Sequence, residues 1–144
     1  MTSIHQIHHD DHRKTNAFLW TVQGLLAALF LFAGGMKLVM PIAALTAQTP
    51  LPGTFIRFVG VLELAGALGL VLPGLARIHT ELTPLAAAGL VLIMCGATGA
   101  TLVIGPAAGA IVPILVGALL AIVTYGRWRV APHQAAPVRT LRAA

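Results

Sequence analysis

The stretch that decides the fold is LTPLAAAGLVLIMCGATGATLVIGPAAGAIVPILVGALLAIVTYG, residues 82–126, because it contains no charged residue. As one helix it would be about 67 Å long, twice what a bilayer core requires. It must therefore fold back on itself. Gly105-Pro106 marks the break, because proline lacks a backbone donor and glycine tolerates turn geometry. Two membrane spans are predicted, over residues 84–104 and 107–126, with Thr83-Pro84 as a hydroxyl cap and first helical residue.

Two further spans precede this stretch. No charge occurs from Thr15 to Met36, which predicts a first span over residues 17–40. Between Arg57 and Arg77 the only charge is Glu63, which predicts a second span over residues 55–73 that ends at Pro73-Gly74. Short links between the spans favour antiparallel neighbours. The predicted fold class is an all-α membrane protein, with four transmembrane helices in an up-down bundle.

Composition excludes a soluble domain. The 144 residues are 58% hydrophobic and 9% charged, whereas soluble domains are about 25% charged. So much apolar surface is predicted to contact the lipid bilayer. The net charge is +5. The basic residues lie at span ends and in the tails, which indicates contact with anionic lipid headgroups rather than binding of nucleic acid. Cys95 is the only cysteine, so neither an internal disulfide nor a C-x-x-C redox pair can form.

The basic residues also predict the orientation. Lys37 and Arg57 fall on one side of the membrane, and seven basic residues fall on the other, where cytoplasmic loops usually carry them. The seven are Arg13, Lys14, Arg77, Arg127, Arg129, Arg139 and Arg142. Both termini are therefore predicted to be cytoplasmic, in a multi-pass protein of the inner (plasma) membrane.

Polar tails flank the predicted membrane domain, residues 17–129. Residues 130–144 form a basic C-terminal tail, and residues 1–16 form an N-terminal tail rich in histidine. Its four histidines are His5, His8, His9 and His12. If this segment became helical, three of them would share a face suited to a transition metal. We interpret it instead as a mobile polar tail, because nothing nearby would fold it.

Lys37 and Glu63 are the most informative residues, because ionisable groups inside a span are costly and mark interhelical contacts or functional sites. Gln23 shares a stripe of the first helix with Lys37, and Arg57 is expected to anchor headgroups nearer the surface. Three hypotheses compete. The pair is a structural ion pair, or it forms a proton or ligand site between helices. Alternatively, Lys37 snorkels to the interface while Glu63 stays protonated.

The chain also resembles a known family. FAGGMKL (residues 32–38), followed by Pro41, resembles the first-helix signature of DoxX-like proteins. RFVGVLE (residues 57–63), continuing through Gly66 and Gly69 to Leu72-Pro73, is similar to their second helix, and TPLAA (83–87) and YGR (125–127) also match. The resemblance covers about residues 18–129. It implies a small four-helix membrane protein. The family's lysine and glutamate positions correspond to Lys37 and Glu63 in this chain.

The resemblance implies a function only in outline. Some relatives are subunits of thiosulfate:quinone oxidoreductase, and others join membrane complexes that handle thiol or oxidative stress. We therefore expect a non-catalytic accessory subunit without a cofactor of its own. It would work with a membrane or soluble redox partner, or as a homo-oligomer. One alternative is an enzyme subunit that binds quinone between Lys37 and Glu63. Another is a small proton-coupled exporter, although four-span exporters carry their essential glutamate in the first helix, where this chain has a lysine.

Overall fold

The computed structural model describes residues 4–47, 49–76, 79 and 81–130, with side chains from residue 14 to residue 129 within these ranges. All regular structure in this part of the chain is helical. The α-helices are α1 (Ile4–Val39), α2 (Ile42–Thr46), α3 (Gly53–Ala76), α4 (Leu82–Ile104) and α5 (Ile111–Tyr125). A 3-10 turn (Ala107–Ala110) precedes α5, and a π-helical turn (Gly126–Val130) follows it.

Four helical segments are long and apolar enough to cross a membrane. They are Lys14–Val39, Gly53–Ala76, Leu82–Ile104 and Ala107–Arg129. The break between the last two lies at Gly105-Pro106, where the backbone of Gly105 is extended (φ −123°). These segments confirm the all-α membrane fold with four spans.

The helix ends differ from the sequence prediction. α1 begins at Ile4, so its backbone is already helical within the predicted N-terminal tail. α3 does not end at Pro73 but continues to Ala76, with Pro73 buried inside it. The predicted cap at Thr83 is wrong. α4 begins at Leu82, its N-cap Glu81 makes no side-chain cap bond, and Thr83 is a buried helical residue.

The short helix α2 was not predicted either. It lies in the link between α1 and α3, after Pro41, and none of its residues is buried. Ile42 nevertheless contacts the first turn of α3, since a Cβ atom added at Gly53 would lie within van der Waals overlap of the Ile42 side chain. The link therefore packs over the start of α3 instead of crossing open space.

Neighbouring long helices pack with opposite chain directions. α1 packs on α3, α3 on α4 and α4 on α5. In the first of these pairs Gly34 lies beside Gly60, whereas Gln23, earlier in α1, contacts Leu70, later in α3. The core is apolar and is contributed by all four long helices. It consists of Val22, Leu26, Ala27, Phe30, Ala67, Leu70, Ala87, Leu90, Met94, Leu120 and Val123.

One face of α4 is exposed along its whole length. Its residues follow one another at alternating intervals of four and three, which places them on a single line along the helix. They are Leu85, Gly89, Leu92, Gly96, Gly99 and Val103, all exposed, and we refer to them as the α4 stripe. A Cβ atom added at Gly89, Gly96 or Gly99 would meet nothing within 4 Å. These glycines therefore do not serve packing within the bundle.

Candidate functional site

Lys37 of the first span and Glu63 of the second bind each other. The Lys37 ammonium donates hydrogen bonds of 2.9 Å to Oε1 and 2.7 Å to Oε2 of Glu63. The Glu63 side chain is 5% exposed and that of Lys37 is 29% exposed. Lys37 also lies in the last turn of α1, where a cation interacts favourably with the helix dipole. The geometry therefore brings the two predicted residues together as a two-pronged ion pair.

Two glycines permit this contact by bringing α1 and α3 close. A Cβ atom on Gly34 would lie 2.7 Å from the backbone oxygen of Gly60, and one on Gly60 would lie 3.0 Å from the Lys37 Cβ. Small residues at such positions let backbones approach where lipid supplies no hydrophobic driving force. The Lys37 side chain then has only one interhelical gap to cross to reach Glu63.

Arg57 lies one to two turns from Glu63 in α3, toward the start of that helix. Its Nη2 donates to the backbone oxygen of Met40, just after α1, at 3.4 Å. Its side chain is only partly exposed, and its Nε is buried without a hydrogen-bond partner. Arg57 thus tethers the end of α1 to α3, and its contact with headgroups stays a prediction.

Gln23 does not belong to the Lys37–Glu63 site. It lies 14 residues earlier in α1, about 21 Å along the helix. It is fully buried, and its Nε2 donates to the backbone oxygen of Leu70 at 2.6 Å. Leu70 lies in the turn of α3 that Pro73 interrupts. The carbonyl that Pro73 leaves without its intrahelical donor is that of Gly69, and Gln23 binds the carbonyl of the next residue in the same turn.

Sequence reasoning missed the second partner of Gln23, which is Arg127. This arginine is 2% exposed, and its Nε donates to Gln23 Oε1 at 2.5 Å. Its Nη1 donates to Asn16 Oδ1 at 2.6 Å, and its guanidinium carbon lies 5.4 Å from the centre of the Trp20 ring. We refer to Asn16, Trp20, Gln23 and Arg127 as the arginine cluster. It joins the first helix to the end of the last one.

The sequence did contain a signal for this cluster. Asn16, Trp20 and Gln23 are spaced at i, i+4 and i+7, which places them on one face of the first helix. A polar face there needs a partner inside the bundle. Arg127 was counted only as a topology-determining charge, because nothing in its immediate sequence distinguishes it from Arg129, which is exposed.

The other candidate residues are not gathered into a site. The side chains of His5, His8, His9 and His12 lie outside the described part of the structure. Among the residues that are described, no group of three or more potential metal ligands occurs. Cys95 is a free, exposed cysteine on α4.

A family model described as the DoxX-like family matches residues 21–123. This range covers well over half of the chain and contains Gln23, Lys37 and Glu63. The chain belongs to the DoxX-like family. Neither the curated proteins nor the solved structures give a match to it.

The limits of the match separate the two polar contacts. The Lys37–Glu63 pair lies entirely within the range shared with the DoxX-like family, residues 21–123. Asn16, Trp20 and Arg127 lie outside that range, so three of the four members of the arginine cluster come from the flanking segments. The pair thus lies within the range matched by the family model, and most of the arginine cluster lies just beyond that range.

Proposed function

We propose that this DoxX-like protein is a non-catalytic accessory subunit of an inner-membrane complex, linked to thiol or quinone redox chemistry. In this proposal the four spans form an up-down bundle with both termini in the cytoplasm, following the basic residues. The chemistry takes place in a partner protein, and this chain binds that partner within the membrane.

The observation that carries the proposal is the α4 stripe. Its three glycines have open space beside them, although glycine in a helix interior costs stability relative to alanine. In membranes, exposed small residues at helical spacing are where a second helix approaches closely. Leu85, Leu92 and Val103 flank the glycines with large apolar side chains. The stripe therefore fits a transmembrane helix of a partner better than it fits lipid alone.

The ion pair between α1 and α3 supports the same proposal. Glu63 receives two of the three donors of the Lys37 ammonium and is nearly buried. Both charges are thereby compensated within the chain, and the Gly34–Gly60 contact holds their helices together. We interpret the pair as a structural element that fixes α1 against α3 and leaves α4 available for the partner.

Co-purification tests the proposal directly. The tagged full-length chain is extracted in a mild detergent, and co-purifying proteins are identified by mass spectrometry. We expect one membrane protein in stoichiometric amount. A cysteine-reactive photocrosslinker on the native Cys95, which is exposed on α4 next to Gly96, should form a covalent product with that protein.

A matched pair of variants ties the result to the stripe. Gly96→Leu fills the open space on α4 and should abolish co-purification. Gly24→Leu places the same bulk on α1, where an added Cβ atom also meets nothing within 4 Å, and should leave co-purification unchanged. Recovery of the wild-type chain alone, or only with further copies of itself, would contradict an accessory role.

A quinone-binding subunit is the second candidate, and one observation favours it. The Lys37 side chain is 29% exposed at the edge of the α1–α3 contact, beside a carboxylate that is almost buried. A quinone oxygen could accept the remaining ammonium proton, and the carboxylate could exchange protons with the reduced form. Extraction of the purified protein with organic solvent, followed by chromatography, would then recover quinone in amounts that fall in the Lys37→Ala variant.

A further inference from the structure

A groove runs between the start of the first span and the end of the last one. Its volume is about 470 Å³, and the surface it exposes is apolar. Phe18 and Leu19 of α1 form one wall, and Ala121, Ile122 and Tyr125 of α5 form the other. Gly126 closes its end, because a Cβ atom there would lie 2.7 Å from Leu19 Cδ2. The groove lies at the same end of the molecule as the arginine cluster.

Two exposed cations lie beyond the residues that line the groove. Lys14 precedes Phe18 by four residues on α1, which places it on the helix face that forms one wall, and Arg129 lies in the π-helical turn that follows Tyr125. Unlike Arg127, whose guanidinium is held by Gln23 and Asn16, both are exposed. The end of the apolar groove is therefore flanked by positive charge from two different helices.

Aromatic residues place this end at the membrane surface. Tyr125 and Trp128 are exposed at the end of the fourth span, and Phe18 is exposed near the start of the first. Exposed tyrosine and tryptophan are typical of the boundary between hydrocarbon and headgroups. This pattern indicates that the apolar groove opens toward the hydrocarbon and that Lys14 and Arg129 lie near the headgroups.

We propose that the groove between α1 and α5 binds an anionic glycerophospholipid. One acyl chain lies against Phe18, Leu19 and Ile122, and the phosphate is held by Lys14 and Arg129. The arrangement matches a lipid from end to end, since an apolar slot leads directly to a pair of cations. Basic residues beside spans commonly recognise anionic headgroups in this manner.

The charges select this occupant over two others. A zwitterionic headgroup carries no net charge, so the two cations gain little from it. A second copy of this chain docked symmetrically through the groove would bring its own Lys14 and Arg129 against these two, and like charges in an interface are unfavourable. Most of the groove lies outside residues 21–123, the range matched by the family. The proposal is independent of the accessory role.

Tryptophan quenching tests the proposal on the full chain. The only two tryptophans, Trp20 and Trp128, both lie at this end of the molecule. The protein is reconstituted in phosphatidylcholine vesicles, and brominated phosphatidylglycerol or brominated phosphatidylcholine is titrated in. We expect the relative association constant to favour phosphatidylglycerol by about fivefold or more, the effect of roughly one basic residue near an anionic surface.

Matched variants separate a built site from general attraction. The double variant Lys14→Gln/Arg129→Gln should reduce the ratio of the association constants for phosphatidylglycerol and phosphatidylcholine to about one. Ala121→Phe, which fills the groove, should do the same, whereas Ala65→Phe at an exposed position of α3 should not. All four positions are exposed, so folding is retained.

Three results would overturn the proposal. The first is equal quenching by the two lipids. That result is expected if Asp10 and Asp11 neutralise Lys14, or if a second copy of the chain covers the groove. The second is a preference that survives the double variant. The third is a preference that the double variant removes but Ala121→Phe leaves intact, because the cations would then act without the groove.

Discussion

At the scale of single residues, the sequence predicted one polar contact and missed the other. Lys37 and Glu63 could be paired in advance because each is a solitary charge within a long apolar run, and such charges require a partner. Arg127 could not be identified in the same way. It lies among other arginines at a span end, and its burial depends on Asn16 and Gln23, more than 100 residues earlier in the chain.

We predict that Lys37 and Glu63 stabilise the protein only as a pair. Lys37→Ala and Glu63→Ala should each lower the free energy of unfolding by about 3 kcal/mol, the low end for a broken buried pair, because Lys37 is 29% exposed. The double variant Lys37→Leu/Glu63→Leu should recover much of this loss. Unfolding in mixed detergent micelles, analysed as a double-mutant cycle, measures the coupling. Strictly additive losses would mean that the two side chains do not interact in the folded protein.

We predict that Arg127 acts through the shape of its guanidinium. Arg127→Ala removes the donors to Gln23 and Asn16 and should cost about 1 to 3 kcal/mol of unfolding free energy, because the buried Gln23 Oε1 is left without its partner whereas Asn16 is exposed. Arg127→Lys should recover less than half of that, since an ammonium does not reproduce the planar fork. Arg129→Ala, at an exposed neighbour, should change stability by less than about 0.5 kcal/mol. Full recovery of the unfolding free energy in Arg127→Lys would show that a positive charge at this position is sufficient to stabilise the cluster.

At the scale of helices, hydropathy predicted the four spans because bilayer thickness fixes their length. It could not predict where each helix ends, because those positions depend on contacts from other helices. α3 passes through Pro73 and ends at Ala76, beyond the Leu70 carbonyl that Gln23 binds. α2 forms where Ile42 packs over Gly53. Neither partner is adjacent in sequence, so neither end has a local signal.

We predict that the separation of α1 and α3 is set by Gly34 and not by its neighbour. Gly34→Ala would place a Cβ atom 2.7 Å from the Gly60 backbone oxygen, which cannot move aside without shifting α3. It should cost about 1 to 3 kcal/mol, as overpacked cores do. Gly35→Ala meets nothing within 4 Å and should be neutral or stabilising by up to about 1 kcal/mol. The comparison uses the same unfolding assay, and equal effects of the two variants would refute a tight contact at Gly34.

At the scale of the whole molecule, the charge distribution and the even number of candidate spans predict that both termini are cytoplasmic. We predict that a reporter enzyme active only in the cytoplasm works when fused at either end of the chain. A reporter active only outside the cytoplasm should be silent at both ends and active when inserted after Gly105. Activity of the latter reporter at the C-terminus would mean that one predicted span does not cross the membrane.

The arginine cluster also constrains the order in which the protein assembles. Gln23 and Arg127 are separated by 104 residues, so the first helix enters the membrane long before its buried partner has been made. At about 5 to 20 residues per second, the ribosome needs roughly 5 to 20 s to cover that distance. During this interval the polar face of the nascent first helix has to be sheltered by the insertion machinery or by water at the membrane surface. The end of the fourth helical segment thus supplies the partner that the polar face of the first segment needs.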